Sequence, residues 1–201
     1  NNDIIIIGGG LGGLTTGALL AKEGRKVTVL EKNNIVGGGL QNFTRKGILF
    51  DTGMHMLGGF RPGQTLYRIC QHLGIMQKLK LQSVDSDCMD EIYYASSHTT
   101  YRVAEGKAGF VESFATHFPH QRAQLQRYVD AIYELADEID LFNLRPTGDG
   151  IPLHSERFMW PANEFIAHYI DDEQLRDVLA YMNPMYGGVS GHTPAYVHAL
   201  I

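Results

Sequence analysis

The stretch Asp3-Ile4-Ile5-Ile6-Ile7-Gly8-Gly9-Gly10-Leu11-Gly12-Gly13, closed further on by Val27-Thr28-Val29-Leu30-Glu31, decides the fold. Four isoleucines in a row predict a strand buried on both faces, as in the middle of a parallel sheet. The strand breaks into glycines, with Gly8, Gly10 and Gly13 at the G-x-G-x-x-G positions. A helical pattern follows (Leu14, Ala18, Leu19, Ala21) and stops at Gly24, and a second apolar strand then runs to Glu31. Strand, glycine turn, helix, strand and acidic residue, in that order within about 30 residues, make a βαβ dinucleotide-binding unit.

Each position has a physical reason. Gly8 permits the tight turn out of the strand, Gly10 leaves the backbone open to a pyrophosphate, and Gly13 lets the helix lie close to the strand. The amides around Leu11 and Gly12 open the helix and carry the positive end of its dipole toward an anion. Glu31 suits a hydrogen bond to a ribose 2′-hydroxyl and would repel a 2′-phosphate.

Working outward, a second glycine run, Gly37-Gly38-Gly39-Leu40, follows closely. An NAD domain has no need of it. Next, Gly47-Ile48-Leu49-Phe50-Asp51-Thr52-Gly53-Met54-His55 reads as a short strand entering a turn. From Phe60 the pattern changes. Leu66, Ile69, Cys70 and Leu73 space as a helix ending at Gly74, and Ile92–Tyr94 with Thr100–Val103 form a hairpin. A short helix around Phe110 and Phe114 ends before Pro119. A long one carries Leu125, Tyr128, Val129, Ile132, Ala136, Ile139 and Phe142 on one face. Two more helices are expected, over Asn163–Ile170 and from an Asp171 or Asp172 cap to about Met182. Thr193 and Pro194 then open an apolar helix as its cap and first residue. The division expected is a nucleotide-binding part over 1–59 and an α+β part over 60–201, α/β in class overall. Because the chain stops inside its last helical pattern, it is expected to be a piece of a longer protein.

Composition narrows the function classes. The chain of 201 residues is 44% hydrophobic and 19% charged, which is enough apolar content for a core. A net charge of −5 with no Lys/Arg stripe argues against nucleic-acid binding. No apolar run approaches the about 18 residues of a membrane span. Cys70 and Cys88 fall outside any C-x-x-C and read most simply as reduced thiols of a cytoplasmic protein, with a single disulfide between them as the alternative. The acidic group Asp85, Asp87, Asp90 and Glu91 lacks the glycine of a calcium loop, and His117 and His120 are separated by Phe118-Pro119, so no metal is assigned. Most of Tyr93, Tyr94, Tyr101, Phe110, Phe114 and Trp160 read as core.

With both glycine runs and the Asp51–His55 turn in view, the chain resembles the phytoene desaturase and retinol saturase group of FAD-dependent oxidoreductases, relatives of the amine-oxidase-like flavoproteins. The resemblance rests on Gly8-x-Gly10-x-x-Gly13, Glu31-Lys32, Val36-Gly37-Gly38 and Gly47–His55, with Phe118-Pro119 and Leu175-Arg176-Asp177-Val178-Leu179 in the expected order. It implies FAD as cofactor, with Gly8, Gly10, Leu11, Gly12, Gly13, Glu31, Lys32, Gly38, Gly39, Leu40, Met54 and His55 around it. Lys32 would lie by the adenosine, Gly38–Leu40 along the pyrophosphate and ribityl chain, and Met54 and His55 near the isoalloxazine. The substrate implied is a lipophilic small molecule of polyisoprenoid type, with a peripheral membrane contact left open. No catalytic residue is assigned; His55 is read as a neighbour of the flavin. Many relatives carry Arg where this chain has Gly39. A flavin amine oxidase and a non-catalytic FAD- or NAD-binding domain are the alternatives.

Overall fold

A computed structural model describes residues 3–53, 56–146 and 148–201. The chain forms two compact units, Asn1–Lys80 and Leu81–Ile201.

The first unit opens with β1 (Ile4–Ile7), α1 (Leu11–Lys22) and β2 (Val27–Leu30). The strands pair in parallel, from Ile4 beside Val27 to Ile7 beside Leu30. Helix α1 ends because Gly24, at a φ of 76°, turns the chain back. Its amide and that of Arg25 then satisfy the carbonyls of Ala21 and Leu20. One face of the strand pair is covered by α1, close enough that a Cβ on Gly17 would touch Ile6, Val27 and Val29 at 3.4–3.6 Å. The other face is open: Ile5 is 65% exposed, Ile7 89% and Leu30 51%. The expectation of a strand buried on both faces is therefore corrected. A two-stranded sheet with one crossover helix covers one side only, whatever the hydrophobicity of the other.

Beyond β2, the Gly38–Leu40 segment makes a single 3₁₀ turn. It leads into the antiparallel hairpin β3 (Asn42–Arg45) and β4 (Ile48–Asp51). Lys46 and Gly47, both at positive φ, form its two-residue turn. Phe43 and Phe50 stack across the strands at 5.2 Å, and neither strand is buried. Helix α2 (Thr65–His72) ends at Gly74, as its spacing predicts. The Tyr67 amide of this helix donates to Gly59, whose vacant side packs on Leu66. That link ties α2 to the Gly59 turn within the first unit.

The second unit holds the core. Its hairpin, β5 (Asp90–Tyr94) and β6 (Thr99–Val103), pairs Ile92 with Tyr101. Tyr101 and Val103 turn inward onto α3 (Gly106–Ala115), which packs on α4 (Arg122–Asp137). Helices α5 (Ala162–Tyr169), α6 (Glu173–Leu179) and α7 (Ala195–Leu200) complete it. Phe114, Leu125, Leu135, Phe165, Ile170 and Leu175 are fully buried at its centre. Among the aromatics read as core, Tyr101 and Phe114 are buried, whereas Tyr93 is exposed.

Helix α4 is shorter than its apolar pattern, which runs on to Phe142. The Asn143 side chain donates to the Ala136 and Ile139 carbonyls and so closes the helix end. Ile139 still packs on the core from the following turn, while Phe142 is 44% exposed. Asp172 is the cap of α6, accepting from the Leu175 amide at 2.9 Å, and the helix stops at Leu179 rather than Met182. Pro194, not Thr193, occupies the cap position of α7, since the Thr193 hydroxyl instead accepts from the Val189 amide. Among the described residues no helix is long and apolar enough to cross a membrane.

Candidate dinucleotide site

The site is built at the carboxyl ends of β1 and β2, where α1 begins. Gly8, at a φ of 104°, makes the turn that no side chain would favour. Gly10 then occupies the helix cap with extended backbone. The first helical bond runs from the Leu14 amide to the Gly10 carbonyl, so the amides of Leu11, Gly12 and Gly13 precede the helical ladder. Leu11 and Gly12 are exposed, and a Cβ on Gly12 would meet open space. At Gly13 the reverse holds: a Cβ there would lie 2.0 Å from the Gly8 carbonyl oxygen. The third glycine is fixed by strand–helix packing, the first by the turn.

The two glycine runs meet. The Gly37 amide donates to the Gly9 carbonyl at 2.7 Å, and Gly10 and Gly37 form a parallel bridge. A Cβ on Gly38 would stand 3.1 Å from the Gly10 Cα, and the φ of Gly38 is 59°. Absence of a side chain at Gly10 and Gly38 thus serves contact between backbones as well as access for a ligand. Gly39 continues the layer. Its carbonyl accepts from the Thr52 hydroxyl at 3.2 Å and blocks any Cβ on Gly53, which would fall 2.3 Å away. The Thr52 hydroxyl also donates to Gln41 at 2.6 Å. The Asp51–Gly53 turn is thereby pinned against the second glycine run. Leu40, at the end of the 3₁₀ turn, and Lys32 are both exposed. Met54 and His55 lie outside the described residues.

Glu31 stands just past β2. Its Oε2 accepts from the Gly9 amide at 2.7 Å, and its Oε1 accepts from the Asn33 amide and side chain at 2.8 and 2.9 Å. The amides of Asn33 and Gly9 hold its carboxyl below the usual carboxylate range, because donors favour the charged form. The side chain read as a ribose ligand is also a brace between the glycine turn and the end of β2.

Sequence reasoning missed Gly9, Asn33 and Thr52. Asn33 sits in a plain polar loop whose composition carries no signal. Thr52 had one, since it stands beside Gly53 in the turn on which the resemblance partly rests.

Exposed helix-opening amides of the kind that receive a phosphate, with an ionised carboxylate at the neighbouring strand end, define a Rossmann-like dinucleotide-binding unit. Residues 6–73 match the NAD(P)-binding Rossmann-like domain family. Over 99% of its length the chain is 26% identical to human all-trans-retinol 13,14-reductase, of which it covers 35%. It is 28% identical to a chloroplastic prolycopene isomerase of an Oncidium hybrid cultivar, over 84% of this chain and 28% of the isomerase. A solved structure of wild-type putrescine oxidase bound to putrescine superposes on 98% of the chain with a TM-score of 0.64 at 22% identity, covering 40% of that protein. In sequence the chain is similar to these retinoid and carotenoid enzymes, and it spans about a third of the length of the reductases it matches.

Proposed function

We propose that the protein is an FAD-dependent oxidoreductase acting on carbon–carbon bonds of an apolar, polyisoprenoid-type substrate. The observation that carries this reading is the contact between the glycine runs. A second run held against Gly9 and Gly10 extends the line of small residues past the pyrophosphate position, as a dinucleotide longer on that side requires. The names of the relatives above, a retinol reductase and a prolycopene isomerase, support the substrate class.

The residues present fit the cofactor. The amides of Leu11, Gly12 and Gly13 would hold the pyrophosphate, and Glu31 would accept from the adenosine ribose beside Lys32. Gly38, Gly39 and Leu40 would line the ribityl path, with Met54 and His55 assigned to the isoalloxazine end on sequence alone. When bound, FAD supplies hydride transfer through N5. The chain's own part is to bind and orient. Ionised Glu31 favours a free 2′-hydroxyl and disfavours a 2′-phosphate, because like charges repel.

The test is visible-range flavin absorbance of the purified protein, bleached by a reductant and restored by a candidate acceptor. Retained flavin that a retinoid or carotenoid reduces or reoxidises is the expected result. Protein free of flavin, or flavin answering only to amines, would overturn the reading.

A further inference from the structure

We propose that Asn33 is a positioning residue, fixing the Glu31 carboxylate in the one orientation that leaves a single acceptor position for a ribose hydroxyl. The inference rests on the reading above that Glu31 meets the adenosine ribose.

A carboxylate oxygen accepts about two hydrogen bonds in its plane. Oε1 receives both of its bonds from Asn33, at 2.8 Å from the amide and 2.9 Å from the side-chain nitrogen. Oε2 receives the Gly9 amide at 2.7 Å. These three hydrogen bonds fill three of the four in-plane positions, and the fourth lies on Oε2, the oxygen that already touches the glycine turn. Both oxygens are thereby distinguished: one faces the loop, the other the turn where the pyrophosphate is expected. Without the Asn33 side chain, Oε1 regains a free position and the carboxylate can rotate on its half-buried stem.

The Asn33 amide first, then the Gly9 amide and the Asn33 side chain, with the nearby Lys32 amide least, lower the pH at which Glu31 takes a proton, while burial pushes the other way. Removing one of these donors raises the pH at which the carboxylate takes a proton. A bound ribose hydroxyl needs the charged acceptor, so the acid limb of binding should follow that change.

The experiment titrates the purified protein with ADP-ribose, which carries the pyrophosphate and the adenosine 2′-hydroxyl, across pH 3.5–7 by calorimetry. Asn33→Ala should weaken binding at pH 7 by up to about tenfold, the scale of one hydrogen bond to a charged group. Asn33→Asp should weaken it further by placing an anion against Oε1. The acid limb of Asn33→Ala should lie at higher pH than that of the unaltered protein; titration of the adenine ring is common to both and cancels. Equal binding and equal limbs in all three proteins would overturn the role of Asn33 while leaving the ribose reading intact. A loss of affinity identical at every pH would mark a merely structural residue and overturn it too. Failure of the unaltered protein to bind ADP-ribose at all would instead remove the ribose reading itself.

Discussion

Acidification should unfold the second unit through His198. This ring is 8% exposed and is wedged between the Tyr128 hydroxyl, 2.7 Å from Nε2, and the Tyr186 hydroxyl, 3.1 Å from Nδ1. Tyr186 also donates to the Asn183 side chain. Its hydroxyl proton being spent there, it accepts from Nδ1–H, and Tyr128 donates to Nε2. That assignment follows from the bonding pattern. Burial pushes the Tyr128 hydroxyl far above its usual range, so it remains a neutral donor. A proton on Nε2 would displace that donor inside the core. Burial accordingly lowers the folded ring to about 4, against 6.5 for a free histidine.

The sign follows from where the proton goes. The unfolded chain takes it first, so the stabilisation is complete above pH 6.5, is lost as the pH falls from 6.5 to 4, and levels off below. The gap is worth about 3 kcal/mol across that window. Carboxylates titrate in part of the same range, so a reference is needed. His198→Gln keeps a polar side chain and does not titrate. Urea unfolding followed by fluorescence of Trp160, the single tryptophan and a residue of this unit, supplies the assay. His198→Gln should be the less stable protein at pH 7, and its deficit should shrink by about 3 kcal/mol by pH 4. A deficit constant with pH would refute the reasoning, since it would mean that the native ring titrates like a free one.

Gly13→Ala places a Cβ 2.0 Å from the Gly8 carbonyl, so α1 must move from β1; a stability loss of about 2–4 kcal/mol with loss of ADP-ribose binding is expected by denaturation and calorimetry. Gly12→Ala, facing open space, is the control and should gain up to about 1 kcal/mol of helix propensity. Asp172→Ala removes the cap bond to the Leu175 amide and should cost about 1 kcal/mol, read as a lower urea midpoint with an unchanged slope.

Local chemistry made much of this chain legible in advance. Gly24 and Gly74 end α1 and α2 where their spacing puts them, because a left-handed residue after a helix is a property of the residue itself. The β5–β6 hairpin declared itself through aromatic and β-branched runs around a polar turn. Hairpin strand β3 did not, since Asn42-Phe43-Thr44-Arg45 is short and exposed throughout, leaving no alternation to read. Helix α4 ends before its apolar pattern does: Ile139 and Phe142 keep the helical spacing, but the Asn143 side chain folds back onto the Ala136 and Ile139 carbonyls at the helix end.

By itself, the sequence determined the βαβ unit, the roles of Gly8 and Gly13 and the acidic residue at the strand end, all of which follow from neighbours within one turn or one crossover. Only the tertiary structure decided that Gly9 and Gly10 lie against Gly37 and Gly38, that Gly53 closes on Gly39, and that Glu31 braces the turn through Gly9 and Asn33. It also left Ile5 and Ile7 uncovered where their hydrophobicity promised burial. Spacing along the chain encodes the period of an element. It does not encode which backbone comes to rest beside it, and that contact is what gives the second glycine run its place in the site.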